Sequence, residues 1–163
     1  MRRSAAAVGS SAFMALAPGT VAGLVPWLLT GWHAGHWWPP LRVIGLVPLL
    51  AGAWVLVHAF ARFVRDGLGT PAPVAPTEHL VVTGIYRYVR NPMYVAVVAA
   101  IAGQALLLAR PVLVVYALVA LVVMGAFARW YEEPTLAGRF GAEYARYRHA
   151  VPGWWPRVRP WRG

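Results

Sequence analysis

The chain has 163 residues, 60% of them hydrophobic, with only five acidic residues and no cysteine. So much apolar surface excludes an ordinary soluble core, and the missing thiols exclude disulfides, thiolate nucleophiles and cysteine metal sites. The net charge of +10 comes from arginine alone, and its placement at the ends of apolar blocks and in one tail argues for a membrane protein and against a nucleic-acid partner.

Four apolar blocks follow in chain order: Ser11 to Trp32, Leu41 to Phe63, Pro92 to Ala109 and Pro111 to Trp130. Each is near the roughly 20 residues that a helix needs to cross a bilayer. Met1-Arg2-Arg3 ahead of small residues resembles the start of a signal peptide, but the run is longer than a signal's apolar core and carries Pro18 and Pro26. We read it as a first membrane helix, kinked at those prolines. His33 and His36 fall between the first two blocks among Trp32, Trp37 and Trp38, where two histidines without a third ligand make interfacial decoration and not a metal site. His58 and Gln104, inside the second and third blocks, read as packed or hydrogen-bonded helix residues.

Asp66 to Thr77 is rich in glycine and proline and predicts a loop. Leu136 to Tyr147 sets Phe140, Tyr144 and Tyr147 at helical spacing beside Arg139, Glu143 and Arg146, which predicts a helix lying in the membrane interface. Trp154, Trp155 and Trp161 then suit headgroup depth. The fold class expected is an all-α integral membrane protein with about four transmembrane helices, or five, and a C-terminal cytoplasmic interfacial helix and tail. One domain spans 1–163: an N-terminal helical hairpin (1–63), a cytoplasmic loop (64–91), a second hairpin (92–130) and a cytoplasmic cofactor-binding tail (131–163). With the N-terminus inside, every arginine except Arg42 and Arg110 lies on the cytoplasmic side, as do all five acids. A bacterial inner membrane with both termini cytoplasmic is the location expected.

Two polar clusters stand out against this background. The first is Gly84 to Tyr94, where Tyr86, Arg87, Tyr88, Arg90, Asn91 and Tyr94 crowd the start of the third block. Asn91-Pro92 fits helix capping on its own, with Asn at the N-cap and Pro at the first helical position. Yet the free amides and positive dipole end of that helix, with Arg90 beside them, also suit a carboxylate. The second cluster is Glu132-Glu133, at the end of the fourth block, where a helix dipole disfavours anions. These acids either pair with Arg129 one turn earlier, or receive an ammonium or sulfonium group at the membrane edge.

Taken together, HLVVTGIYRYVRNPMY (His79 to Tyr94), a helical hairpin and EEPTLAGRFGAEYARYRHAVP (Glu132 to Pro152) resemble the isoprenylcysteine carboxyl methyltransferase and phospholipid methyltransferase superfamily of integral membrane enzymes. The resemblance implies S-adenosylmethionine bound on the cytoplasmic side. Its contacts would be Glu78, His79, Leu80, Val81, Tyr86, Asn91, Pro92, Met93, Tyr94 and Glu132, with Glu133 nearby. Arg129 and Glu133 are the candidates for the chemistry, as substrate-facing cation and, for an amine acceptor, as base, a task open also to His79 or water. The chain departs from the family pattern in two places. Asn91 stands where many members have histidine, and Ala128 occupies the place of a substrate-facing arginine, with Arg129 one position along. The acceptor expected is a lipophilic or membrane-embedded carboxylate, amine or thiol. The rival is a non-catalytic membrane protein of the same fold that binds a lipid or a protein partner.

Overall fold

The computed structural model describes residue 12 and residues 16–36, 39–67 and 79–163, apart from the side chains of residues 63, 64, 66 and 67. Met1-Arg2-Arg3, Trp37, Trp38, the Gly- and Pro-rich stretch 68–77 and Glu78 lie outside the described residues. Within them every regular element is helical. We label these α1 (Leu16–Thr30), α2 (Pro39–Ile44), α3 (Leu46–Gly67), α4 (Pro92–Leu107), α5 (Pro111–Phe127) and α6 (Glu133–Ala150).

α4 is the centre of the bundle. Ile101 and Ala105 are fully buried and pack with Leu113, Ala117 and Ala120 of α5, while Val21 and Ala22 of α1 and Leu56 of α3 close the cluster. α3 meets the opposite face of α4 through small residues. A Cβ at Gly52 would stand 2.6 Å from the Ala96 carbonyl oxygen, and one at Gly103 would stand 2.5 Å from the Leu49 nitrogen. Backbones approach this closely only where side chains are absent, as in helix pairs that gain dispersion contact in lipid. The outward faces are the reverse of a soluble protein: Leu28, Leu50, Trp54, Val115, Val119 and Val122 are all exposed. Two helical runs, Pro39–Arg62 and Pro111–Ala150, are long and apolar enough to cross a membrane, and Leu16–Thr30 and Pro92–Leu107 are shorter apolar helices.

The irregularity expected at the prolines of α1 takes the form of a π turn, Thr20–Leu24, closed by the Val25 amide donating to the Thr20 carbonyl. Pro26 has no N–H, so the carbonyls of Val21 and Ala22 lose their main-chain donors. Side chains from neighbouring helices take over. Gln104 Nε2 donates to the Ala22 oxygen at 2.7 Å, and Tyr116 Oη donates to the Val21 oxygen at 2.8 Å. Gln104 is thus the interhelical hydrogen-bonding residue expected, and it repairs a helix that its own proline opens.

At the far end of the chain the helix does not stop where the acids begin. α5 runs through a π turn, Ala128–Glu132, into α6, closed by the Glu133 amide donating to the Ala128 carbonyl. The helix end expected at the Glu pair is therefore absent, because helical main chain continues past it, although Pro134 has no N–H to offer the carbonyls behind it. α6 then bends at Gly141, whose φ of 49° and ψ of −122° lie outside the helical region and suit only glycine. The bend turns the aromatic face of α6 onto the protein. Tyr144, Tyr147 and Val151 are buried against Leu80, Val82, Phe140 and Trp161, so a face expected to meet lipid packs on the chain's own 80–82 segment and tail.

Candidate functional site

The polar end is assembled from the 79–91 segment, the start of α4, the π turn at Glu132 and the tail after α6. Gly84–Arg87 forms a 3-10 turn that buries Tyr86 against Ala59, Val81, Ile85 and Met93. Burial raises the Tyr86 phenol well above its ordinary range, so it stays neutral. Its carbonyl accepts a 2.7 Å hydrogen bond from Tyr147 Oη. The tail then runs back along this segment. The amides of Arg90 and Asn91 donate to the carbonyls of Pro152 and Gly153, and those of Arg157 and Trp161 donate to the carbonyls of Tyr88 and Arg87. These four links of the strap are main chain to main chain, and the guanidinium groups of Arg87 and Arg90 add side-chain bonds to the carbonyls of Trp161 and Val151.

The acids at the π turn occupy different electrostatic surroundings. Glu133 is ringed by cations: Arg90 at 3.0 Å, Arg148 at 3.0 Å and Arg129 at 3.2 Å. Burial pushes its carboxyl up, but the hydrogen bond and charge of Arg90, with Arg148 and Arg129, outweigh that and hold it below the usual carboxylate range. Glu132, one residue away, forms no ion pair with an arginine among the described residues. It accepts a 2.5 Å hydrogen bond from Tyr94 Oη. Burial raises its carboxyl, the Tyr94 bond lowers it, and the charge of Glu133 adds a further rise, so the net shift is upward. The Tyr94 ring stacks on Trp154 at 6.3 Å between centroids. A part-buried carboxylate beside aromatic rings, with no arginine on it among the described residues, is chemically suited to a positively charged group.

Several expected residues have other work. Arg90, expected at a ligand carboxylate, is spent on the protein: Nε donates to the Val151 carbonyl, and Nη1 to Glu133 Oε1 and Tyr144 Oη. Arg129 is exposed and pairs with Glu133, at helical i,i+4 spacing. Asn91 makes no side-chain cap bond, although Pro92 does take the first helical position. The main-chain amides of Met93 and Tyr94, at the start of α4, consequently have no intrahelical acceptor. His79 is exposed, Leu80 packs against the Tyr144–Tyr147 cluster, and Val81 and Met93 pack around Tyr86. His58 lies on the outward face of α3, against the Trp54 ring at 3.9 Å.

Trp154, Tyr144 and Tyr147 belong to this corner and were not among the site residues expected. Trp154 and Trp161 were read as headgroup anchors, yet Trp154 stacks on Tyr94 and Trp161 packs on Tyr147. The one sequence signal for them is Val151-Pro152-Gly153-Trp154, which breaks α6 and reverses the chain. A Cβ at Gly153 would meet Arg90 at 3.2 Å and Asn91 at 3.4 Å.

The family model described as phospholipid methyltransferase matches residues 41–143, more than half of the chain and the whole bundle from α3 to the first part of α6. The chain belongs to that family, a family of methyltransferases. No curated protein matches the chain significantly in sequence.

Proposed function

We propose that the chain transfers a methyl group from S-adenosylmethionine to a lipophilic or membrane-embedded acceptor carrying a carboxylate, amine or thiol. The donor set at the polar end fits that cofactor. Glu132 would hold its ammonium, the Met93 and Tyr94 amides its carboxylate, and the rings of Tyr94 and Trp154 its sulfonium or adenine. When bound, S-adenosylmethionine would supply a methyl group already activated for displacement. The observation that carries the proposal is the asymmetry of the Glu pair, with three arginines on Glu133 and, among the described residues, none on Glu132.

The chain's own residues then divide the labour. Tyr94 and Trp154 keep water from the reacting groups, and the tail strap orders the walls of the site. A carboxylate or thiolate acceptor needs no base, whereas an amine must lose a proton. Glu133 suits that task poorly, because its arginines hold its proton affinity down. We therefore assign Glu133 and Arg90 to holding the tail and leave Glu132 as the carboxylate nearest the chemistry. Residues Leu80, Val81, Tyr86, Pro92 and Met93 shape the site as packing, and His79 stands exposed at its edge. Both termini are proposed to face the cytoplasm of a bacterial inner membrane, with four crossing helices, because arginine is concentrated at that end.

The test is to incubate purified protein, labelled S-adenosylmethionine and a membrane lipid extract, comparing wild type with Glu132→Ala. Label in a lipid product from wild type, and its loss in the variant, is the expected result. Equal labelling by both would remove Glu132 from the site. Absence of any S-adenosylmethionine affinity would favour the non-catalytic reading of the same fold.

A further inference from the structure

The α3 helix has two seams, and the fold of a single chain uses one of them. Gly45, just before the helix, and Leu49 and Gly52 lie against α4, where a Cβ at Gly45 would stand 2.6 Å from the Gly103 carbonyl oxygen. Leu56 continues that seam into the core cluster around Ile101. Two residues further along at each step, a turn of about 200° around the helix, Val47, Ala51, Trp54 and His58 repeat the same spacing on the opposite side. All four are exposed, inside an apolar run, Pro39–Arg62, that is long enough to cross a membrane.

The last two of these residues carry unsatisfied polar atoms. His58 Nδ1 donates to the Trp54 carbonyl at 3.0 Å, and in the neutral ring that leaves Nε2 as a bare acceptor. The Trp54 indole, 3.9 Å away between ring centroids, has an N–H that can only donate. Neither Trp54 Nε1 nor His58 Nε2 has a hydrogen-bond partner among the described residues. Hydrocarbon can supply none, and polar side chains of membrane helices are satisfied by turning to another helix. Contact between the two rings also sets the free donor and the free acceptor at one depth. Copies of one chain insert in the same direction, so a two-fold axis along the membrane normal brings the ring pair of one copy level with that of the next. The indole N–H of each then meets the imidazole Nε2 of the other, a self-complementary match. We infer that the exposed stripe of α3 is a two-fold interface with a second copy of this chain, closed by two Trp54–His58 hydrogen bonds. It requires neither a methyl donor nor Glu132.

Because the chain has no cysteine, a single introduced one reports its own neighbours. Ala51→Cys, on the stripe, and Val119→Cys, on the exposed face of α5, are treated with a short bismaleimide in native membranes. The expected product is an adduct of two chains from Ala51→Cys and a single chain from Val119→Cys. Equal adducts from both, no adduct from Ala51→Cys, or an Ala51→Cys adduct with a different protein would overturn the interface. Energy transfer between full chains labelled at Gly163→Cys, followed on dilution in lipid vesicles, gives the dissociation constant of the pair. His58→Leu and Trp54→Phe should each raise it about eightfold, the scale of two intramembrane hydrogen bonds. The double variant should be no weaker than either single one, since both remove the same bonds. Single variants that bind as wild type, or losses that multiply in the double variant, would overturn the Trp54–His58 pairing.

Discussion

Between α3 and α4 the chain meets itself through glycine and alanine, backbone against backbone, whereas between the 84–91 segment and the tail it meets through main-chain hydrogen bonds and arginine. The first contact is dispersion in an apolar setting, insensitive to pH and salt. The second depends on ionised Arg90 and Glu133 and on water being kept from them. The difference separates scaffold from site. Small residues at the seam fix where α4 begins, and the start of α4 then presents Tyr94 to Glu132 across the turn.

Breaking the seam should do the most damage. Gly52→Leu places a side chain against the Ala96 carbonyl and should cost about 3 kcal/mol or more, read as a fall in thermal midpoint of the detergent-solubilised protein. Arg90→Ala comes next, at about 2 kcal/mol, because it removes the Glu133, Tyr144 and Val151 contacts together. It should also free the tail for faster trypsin cleavage, while leaving the seam intact. Gln104→Leu should cost about 0.6 kcal/mol, typical of one intramembrane hydrogen bond, by leaving the Ala22 carbonyl open.

The Glu pair gives a pH test of the same contrast. Glu133 is held below its unfolded value, so its contribution to stability is complete above the ordinary carboxylate range and is lost as pH falls through the folded value. Glu132 is raised, so protonation favours the folded state as pH falls through its folded value, and the ionised form is a stability cost above it. Melting curves across pH should therefore show Glu133→Gln losing stability at neutral pH and flattening the acid limb. Glu132→Gln should match or exceed wild-type stability at neutral pH.

Much of the scaffold was legible in sequence, because apolar runs bounded by Pro92, Arg110-Pro111 and arginine mark helix ends whatever the tertiary setting. Pro26 announced an irregular α1, although its resolution through Gln104 and Tyr116 depends on which helices become neighbours, which composition does not encode. The Gly84–Tyr94 run and the Glu pair do converge at one end of the bundle. Their division of roles was not legible. Adjacent glutamates look alike until the fold brings Arg90 and Arg148 to one and Tyr94 to the other. Trp154 and Trp161 were opaque for the same reason: an aromatic residue near a membrane looks like an anchor until a chain reversal at Pro152-Gly153 brings it against Tyr94 or Tyr147, whereas Trp155 stays exposed.

The central claim is that Glu132 receives a cation and Glu133 holds the fold. Equilibrium dialysis of labelled S-adenosylmethionine against wild type, Glu132→Gln and Glu133→Gln in nanodiscs, with thermal midpoints recorded for each, tests it most directly. The account predicts saturable wild-type binding, weakened about tenfold or more in Glu132→Gln with its midpoint retained, in keeping with loss of one charge-assisted contact. Binding by Glu132→Gln equal to wild type would contradict it.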